Sequence, residues 1–173
     1  MGEEPIINRV AQSSLVTFDL EKLYHPGRRV EWDIKDQLFQ GMILKEKEFR
    51  SFVKSHDWPQ YQGQNIAIFC SVDAIIPTWA FMLVAVHLTP YANHFVFGDL
   101  EDLEQSLFQK ALSGIDLGKY KEEKVIIKGC GNYPIPEFAY VEVTRILHSV
   151  AASIMYGEPC STVPLYKKGK VSK

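Results

Sequence analysis

Only three cysteines occur among the 173 residues, at positions 70, 130 and 160. An odd number at wide spacing argues against a disulfide framework and for reduced thiols. There is no Cys-x-x-Cys pair, so the commonest structural zinc signature is missing. Neither sign of charge dominates. The net charge is -2, from 19 Lys and Arg against 21 Asp and Glu, which gives no electrostatic footing for nucleic acid. No Walker loop, GxGxxG or Ser–His–Asp order is present, so nucleotide hydrolysis and dinucleotide binding lack their usual fingerprints. Long apolar runs are lacking too. Residues 66–88 are greasy but broken by Ser71, Asp73 and Pro77, which rules out a membrane span there. The opening Met1-Gly2-Glu3-Glu4-Pro5 has no basic n-region and no apolar segment after it, so the cytoplasm is the expected compartment. The only basic cluster, Lys167-Lys168-Gly169-Lys170 with Lys173, is expected to belong to a solvated tail over 165–173.

What is present is an ordinary globular composition, 46% apolar and 23% charged. The length predicts one domain over 1–173, or two intimately packed halves. The chain also repeats itself at a spacing of 59 residues, from Asp57 and Tyr61 to Asp116 and Tyr120. Ile66-Ala67-Ile68 recurs as Val125-Ile126-Ile127, and Ile76-Pro77-Thr78-Trp79-Ala80-Phe81 as Ile135-Pro136-Glu137-Phe138-Ala139-Tyr140. Phe97-Gly98-Asp99 returns as Tyr156-Gly157-Glu158. The two copies run over 45–99 and 104–158.

Each copy has a physical reading. Short β-branched runs such as Asn65-Ile66-Ala67-Ile68-Phe69 suit strands buried on both faces of a parallel sheet. Pro77 and Pro136 are expected to open helices over 77–88 and 136–150. The first of these is apolar on nearly every side and is expected to be deeply buried. His94-Phe95-Val96-Phe97 and Ser153-Ile154-Met155-Tyr156 read as the second strand of each copy. Right-handed crossovers then make the strands parallel. Helices over 45–54 and 104–113 precede the repeated Asp, whose expected role is a helix stop, with the Tyr a packing anchor. Val30-Glu31-Trp32-Asp33-Ile34 and Leu15-Val16-Thr17-Phe18 read as edge strands. The predicted fold is α/β, three-layered, on a mostly parallel sheet built from a pseudo-duplicated strand–helix–strand unit with one or two N-terminal edge strands.

In such a fold the loops leaving the carboxyl ends of the strands share one edge, where ligands bind. Cys70 and Cys130 leave equivalent strands, and Cys160 sits on a Pro-flanked polar stretch over 157–164. Asp73, Asp99 and Glu158 join them on the predicted edge. A cysteine before a helix N-terminus meets the positive end of its dipole, which favours thiolate. Three readings stay open: ligation of zinc or an iron–sulfur cluster by Cys70, Cys130 and Cys160 with Asp73 and Glu158 nearby, thiol or redox chemistry, and inert packing. Helix capping is the simpler use of Asp73. The five histidines are dispersed and read as packing or surface residues.

Four segments carry a resemblance across essentially the whole chain: 15–20, 39–47, Cys70-Ser71-Val72-Asp73-Ala74-Ile75-Ile76-Pro77-Thr78-Trp79-Ala80, and Tyr156-Gly157-Glu158-Pro159-Cys160-Ser161-Thr162-Val163-Pro164-Leu165-Tyr166. They resemble a bacterial family catalogued only as a domain of unknown function (domain-of-unknown-function family 2480). The resemblance implies no activity. It implies a genomic setting near iron–sulfur cluster assembly genes, and hence an accessory role in iron–sulfur or sulfur metabolism with assembly proteins as partners. A non-catalytic scaffold and a thiol enzyme remain the alternatives, and association with a second copy is open.

Overall fold

The computed structural model describes residues 15–129, 131–158 and 160–169. Its elements are β1 (Leu15–Asp19), β2 (Arg29–Asp33), α1 (Glu46–Ser55), β3 (Asn65–Phe69), α2 (Thr78–Leu88), β4 (His94–Phe97), α3 (Leu100–Ser113), β5 (Lys124–Lys128), α4 (Glu137–His148), β6 (Ser153–Glu158) and β7 (Ser161–Lys167). The fold is α/β with mostly parallel strands. It divides into two compact units. One, the inserted unit, is His25–Leu107; the other, the split unit, joins the chain before residue 25 to the chain from Phe108 onward.

The inserted unit has a fully parallel sheet in the order β2-β3-β4. Its central strand reads Asn-Ile-Ala-Ile-Phe, and four of the five residues are buried. Alternation sends Ile66 and Ile68 to one face, against Phe49 and Val53 of α1 and Ala80, Val84 and Leu88 of α2. Ala67 points the other way, and Leu103 and Leu107 of α3 pack on it with Val96. Helices on both faces give this unit three layers.

In the split unit β1-β5-β6 are parallel and β7 adds antiparallel to β6. Val125, Ile127 and Ile154 form its core with Phe108 and Leu112 of α3 and Ala139, Val143 and Leu147 of α4. The pairing registers match across the repeat: Asn65 sits opposite His94, and Lys124 opposite Ser153. The strands of the two copies thus build separate sheets, one per unit, each edged by one of the N-terminal strands.

Those N-terminal strands extend the duplication in a way the spacing of 59 hides. Leu15–Asp19 and Arg29–Asp33 share one burial pattern, and each runs into a short 3-10 turn capped by its last aspartate. Asp19 accepts from the Glu21 N–H at 3.2 Å and Asp33 from the Lys35 N–H at 3.0 Å. Phe18 and Trp32 are buried just before the caps, and Leu20 and Ile34 just after them.

Several expectations need correction. Helix α2 is not deeply buried: Met82 is 63% and Val86 66% exposed. Only the stripe Ala80, Val84 and Leu88 is fully buried, with Trp79, Phe81 and Leu83 packed at its margins, because a helix laid on one face of a sheet hides one side whatever its composition. Both prolines precede the first helical residue rather than forming it. The segment over 157–164 is a β-hairpin, not a polar loop, and Leu165, Tyr166 and Lys167 belong to β7 rather than to a tail. Among the described residues no helix is long and apolar enough to cross a membrane.

Candidate functional site

The carboxyl ends of the parallel strands lie at one edge of each sheet, and each edge is built around a carboxylate that the first strand delivers. In the inserted unit this is Asp33. Its Oδ1 accepts from the backbone N–H of Lys35 at 3.0 Å and of Ser71 at 3.1 Å, and its Oδ2 meets Lys35 Nζ at 3.2 Å. Partial burial works against its charge. The hydrogen bonds from Ser71 and Lys35 outweigh that and hold the carboxyl at about 2, below the ordinary 3.8. Ser71, the second residue after β3, is therefore pinned to the end of β2.

Cys70 immediately precedes that pinned residue. Its Sγ donates to the Val72 carbonyl at 3.3 Å, and its side chain packs against the core under α1 and α2. Seven residues separate it from the first residue of α2. Asp73 is exposed and does not cap α2, which has no side-chain cap. Asp99 is committed elsewhere: its Oδ1 accepts from the N–H groups of Glu101 at 2.8 Å and Asp102 at 3.0 Å at the start of α3.

What the sequence did not reveal at this edge is exposed apolar surface. Ile75 is 91% exposed and Ile43 59%, and the two form a parallel bridge. Ile43 also bridges Phe39 across a tight turn, and Met42 and Val72 are exposed beside them in the same loops. Lys45 Nζ lies 3.3 Å from the centre of the Phe39 ring. An adjoining cavity of about 320 Å³ is lined by Asp36, Glu48, Leu38, Phe39 and Phe49. In the apolar run over 38–44, Phe39, Met42 and Ile43 face outward while Leu44 enters the core.

The split unit repeats the device with different residues. Glu21, two positions past the cap, accepts from the backbone N–H of Asn132 at 2.8 Å and from that of Gly131, pinning the loop after β5. Tyr133 from this loop stacks on Tyr24 at 4.4 Å. Asp19 pairs with Lys128 at 3.6 Å. A cavity of about 570 Å³, largely apolar, opens beside β5, β6 and α4, lined by Ile127, Ile135, Tyr140, Tyr156 and Leu165, with Glu137 and Thr144 as its polar groups. Glu158 ends β6 opposite Ser161, and Cys160 is exposed in the turn between them. Cys130 lies outside the described residues.

The expected ligand set is therefore placed as follows. Cys70 shares a loop with Asp73 in the inserted unit, and Cys160 shares a hairpin end with Glu158 in the split unit. Among the described residues no group of three His, Cys, Asp or Glu side chains could hold a metal ion.

Comparison with known proteins returns one family. Its model matches residues 4–168 and is described as "Protein of unknown function (DUF2480)". No curated protein and no solved structure matches the chain.

Proposed function

We propose a role for this protein on the premise that the chain belongs to the DUF2480 family. It is a non-catalytic binding module, and its working surface is the carboxyl edge of the inserted unit. The observation that carries this reading is the bridged pair Ile43 and Ile75, apolar side chains held in water by a pinned loop frame. Contiguous apolar exposure of this kind marks interaction sites. The groups that a catalyst would aim at a substrate are used internally. Asp33 holds the loop, Asp99 caps α3, and the Cys70 thiol is bonded to a carbonyl.

The partner fitted to this edge is a protein segment with an apolar anchor for Phe39, Ile43 and Ile75. A basic flank would complement Asp36 and Glu48 in the adjoining cavity. The accessory role in iron–sulfur or sulfur metabolism is not favoured over this reading by any observation at the two edges.

The test is photocrosslinking in cells, with benzoylphenylalanine in place of Ile75. A discrete protein adduct that is lost in Ile43→Glu, with melting temperature unchanged, supports the module. No adduct, or a pattern indifferent to Ile43→Glu, overturns it.

A further inference from the structure

We propose that two copies of the chain associate through the outer edge of β4, each giving the other the kind of strand that β7 gives β6. The argument rests on the duplication. β4 and β6 occupy equivalent places, each parallel to its central strand in the same register. On its far side β6 is covered by β7, antiparallel, with Ile154 opposite Tyr166, and Ile154 is fully buried. Among the described residues no strand lies on the far side of β4. Its Phe95, the counterpart of Ile154, is only partly buried, and Phe97, the counterpart of Tyr156, is 71% exposed.

The chemistry of the sheet edges separates β4 from the rest. Edge strands are normally protected from pairing by charge or proline. β2 carries Arg29, Glu31 and Asp33 in five residues, β7 carries Pro164 and Lys167, and β1 ends in Asp19 paired to Lys128. β4 is His-Phe-Val-Phe, with no Lys, Arg, Asp, Glu or Pro. The N–H of Gly98 points inward to the Ile68 carbonyl, and strand alternation then turns the backbone groups of Phe95 and Phe97 outward.

The sense of pairing selects a second copy. A two-fold axis brings identical edges together antiparallel, the sense β7 already takes against β6. The apolar surface continues past the strand. Phe97 meets Phe81 of α2 edge-on at 4.9 Å. Backbone pairing over four residues is small, and this surface supplies further area that a stable dimer needs.

The test is light scattering on the full chain across about a hundredfold range of concentration. The expected mass at the upper end is twice the 19.8 kDa of one chain. Phe97→Lys changes an exposed side chain at the edge, and should give a monomer at concentrations where the parent is dimeric, with a matching melting temperature at dilutions where both are monomeric. Amide exchange at Phe95 should slow as the dimer forms. A parent that stays monomeric overturns the proposal, as does a dimer indifferent to Phe97→Lys whose Phe95 amide exchanges at the same rate at all concentrations. If a peptide of another protein is the occupant of this edge, the parent alone is monomeric and the proposal fails.

Discussion

Asp33 shows how one side chain organises an edge. It ends β2, caps the following turn, pairs with Lys35 and fixes the backbone of Ser71, 38 residues away. Because its folded value is near 2 and the ordinary one is 3.8, its ionised form is favoured by folding. The stabilisation is present above about pH 4 and is lost as pH falls toward about 2. Replacing it with alanine removes the cap and leaves the Ser71 amide without that acceptor, an expected loss of about 1–3 kcal/mol at neutral pH. Urea melts at pH 7 and at pH 2.5 check this: the difference between parent and Asp33→Ala should shrink at the lower pH. The aspartates and cysteines were visible in the sequence, but their partners were not. A carboxylate finds its donors through the fold, and Asp73, the aspartate expected to cap a helix, proved the wrong one.

At the scale of elements, the duplication was legible because burial enforces it. Ile66-Ala67-Ile68 and Val125-Ile126-Ile127 are the central strands, and substitution there is restricted by close packing. The repeated glycines have a conformational reason. Gly98 and Gly157 sit at φ of +144° and +119° where the second strand of each copy ends or turns. The two exits then differ: Gly98 leads into α3, while Gly157 pairs with Thr162 across the hairpin, where an added Cβ would lie 2.5 Å from the Ser161 carbonyl oxygen. Gly157→Ala therefore forces both backbone strain and a backbone clash, expected to cost at least about 1–3 kcal/mol. It should loosen β7 first, seen as faster amide exchange across the β6–β7 ladder before any change in β5. Other elements were less legible. A helix apolar on nearly every side, such as α2, carries no clear stripe to say which side is covered, and Pro164 in β7 reads as a loop until the strand is seen to be an edge.

At the scale of the molecule, the chain makes two sheets, and the deepest burial in each is at its middle strand. Ile66 and Ala67, and Val125 and Ile126, are fully buried. Amides of β3 and β5 should accordingly exchange last, and those of β2 and β7 earlier, since edge strands open at lower free energy than core strands. Hydrogen exchange followed residue by residue would show this; equal protection of edge and centre would contradict it. The order of the strands also explains why the division into units is discontinuous in sequence. β1 and β2 follow one another in the chain, yet β1 pairs with β5 and β2 with β3.

The sequence by itself determined the local alphabet: strand or helix from hydrophobic period, the duplicated strand–helix–strand unit, and the turns set by glycine and aspartate. These follow from steric and burial preferences within some ten residues. Only the tertiary structure decided which sheet each N-terminal strand joins, that β7 covers β6 while β4 remains an edge, and that Ile43 and Ile75 meet in water instead of in the core. Strand pairing and exposure depend on which residues distant in sequence become neighbours, and no short-range pattern encodes that choice.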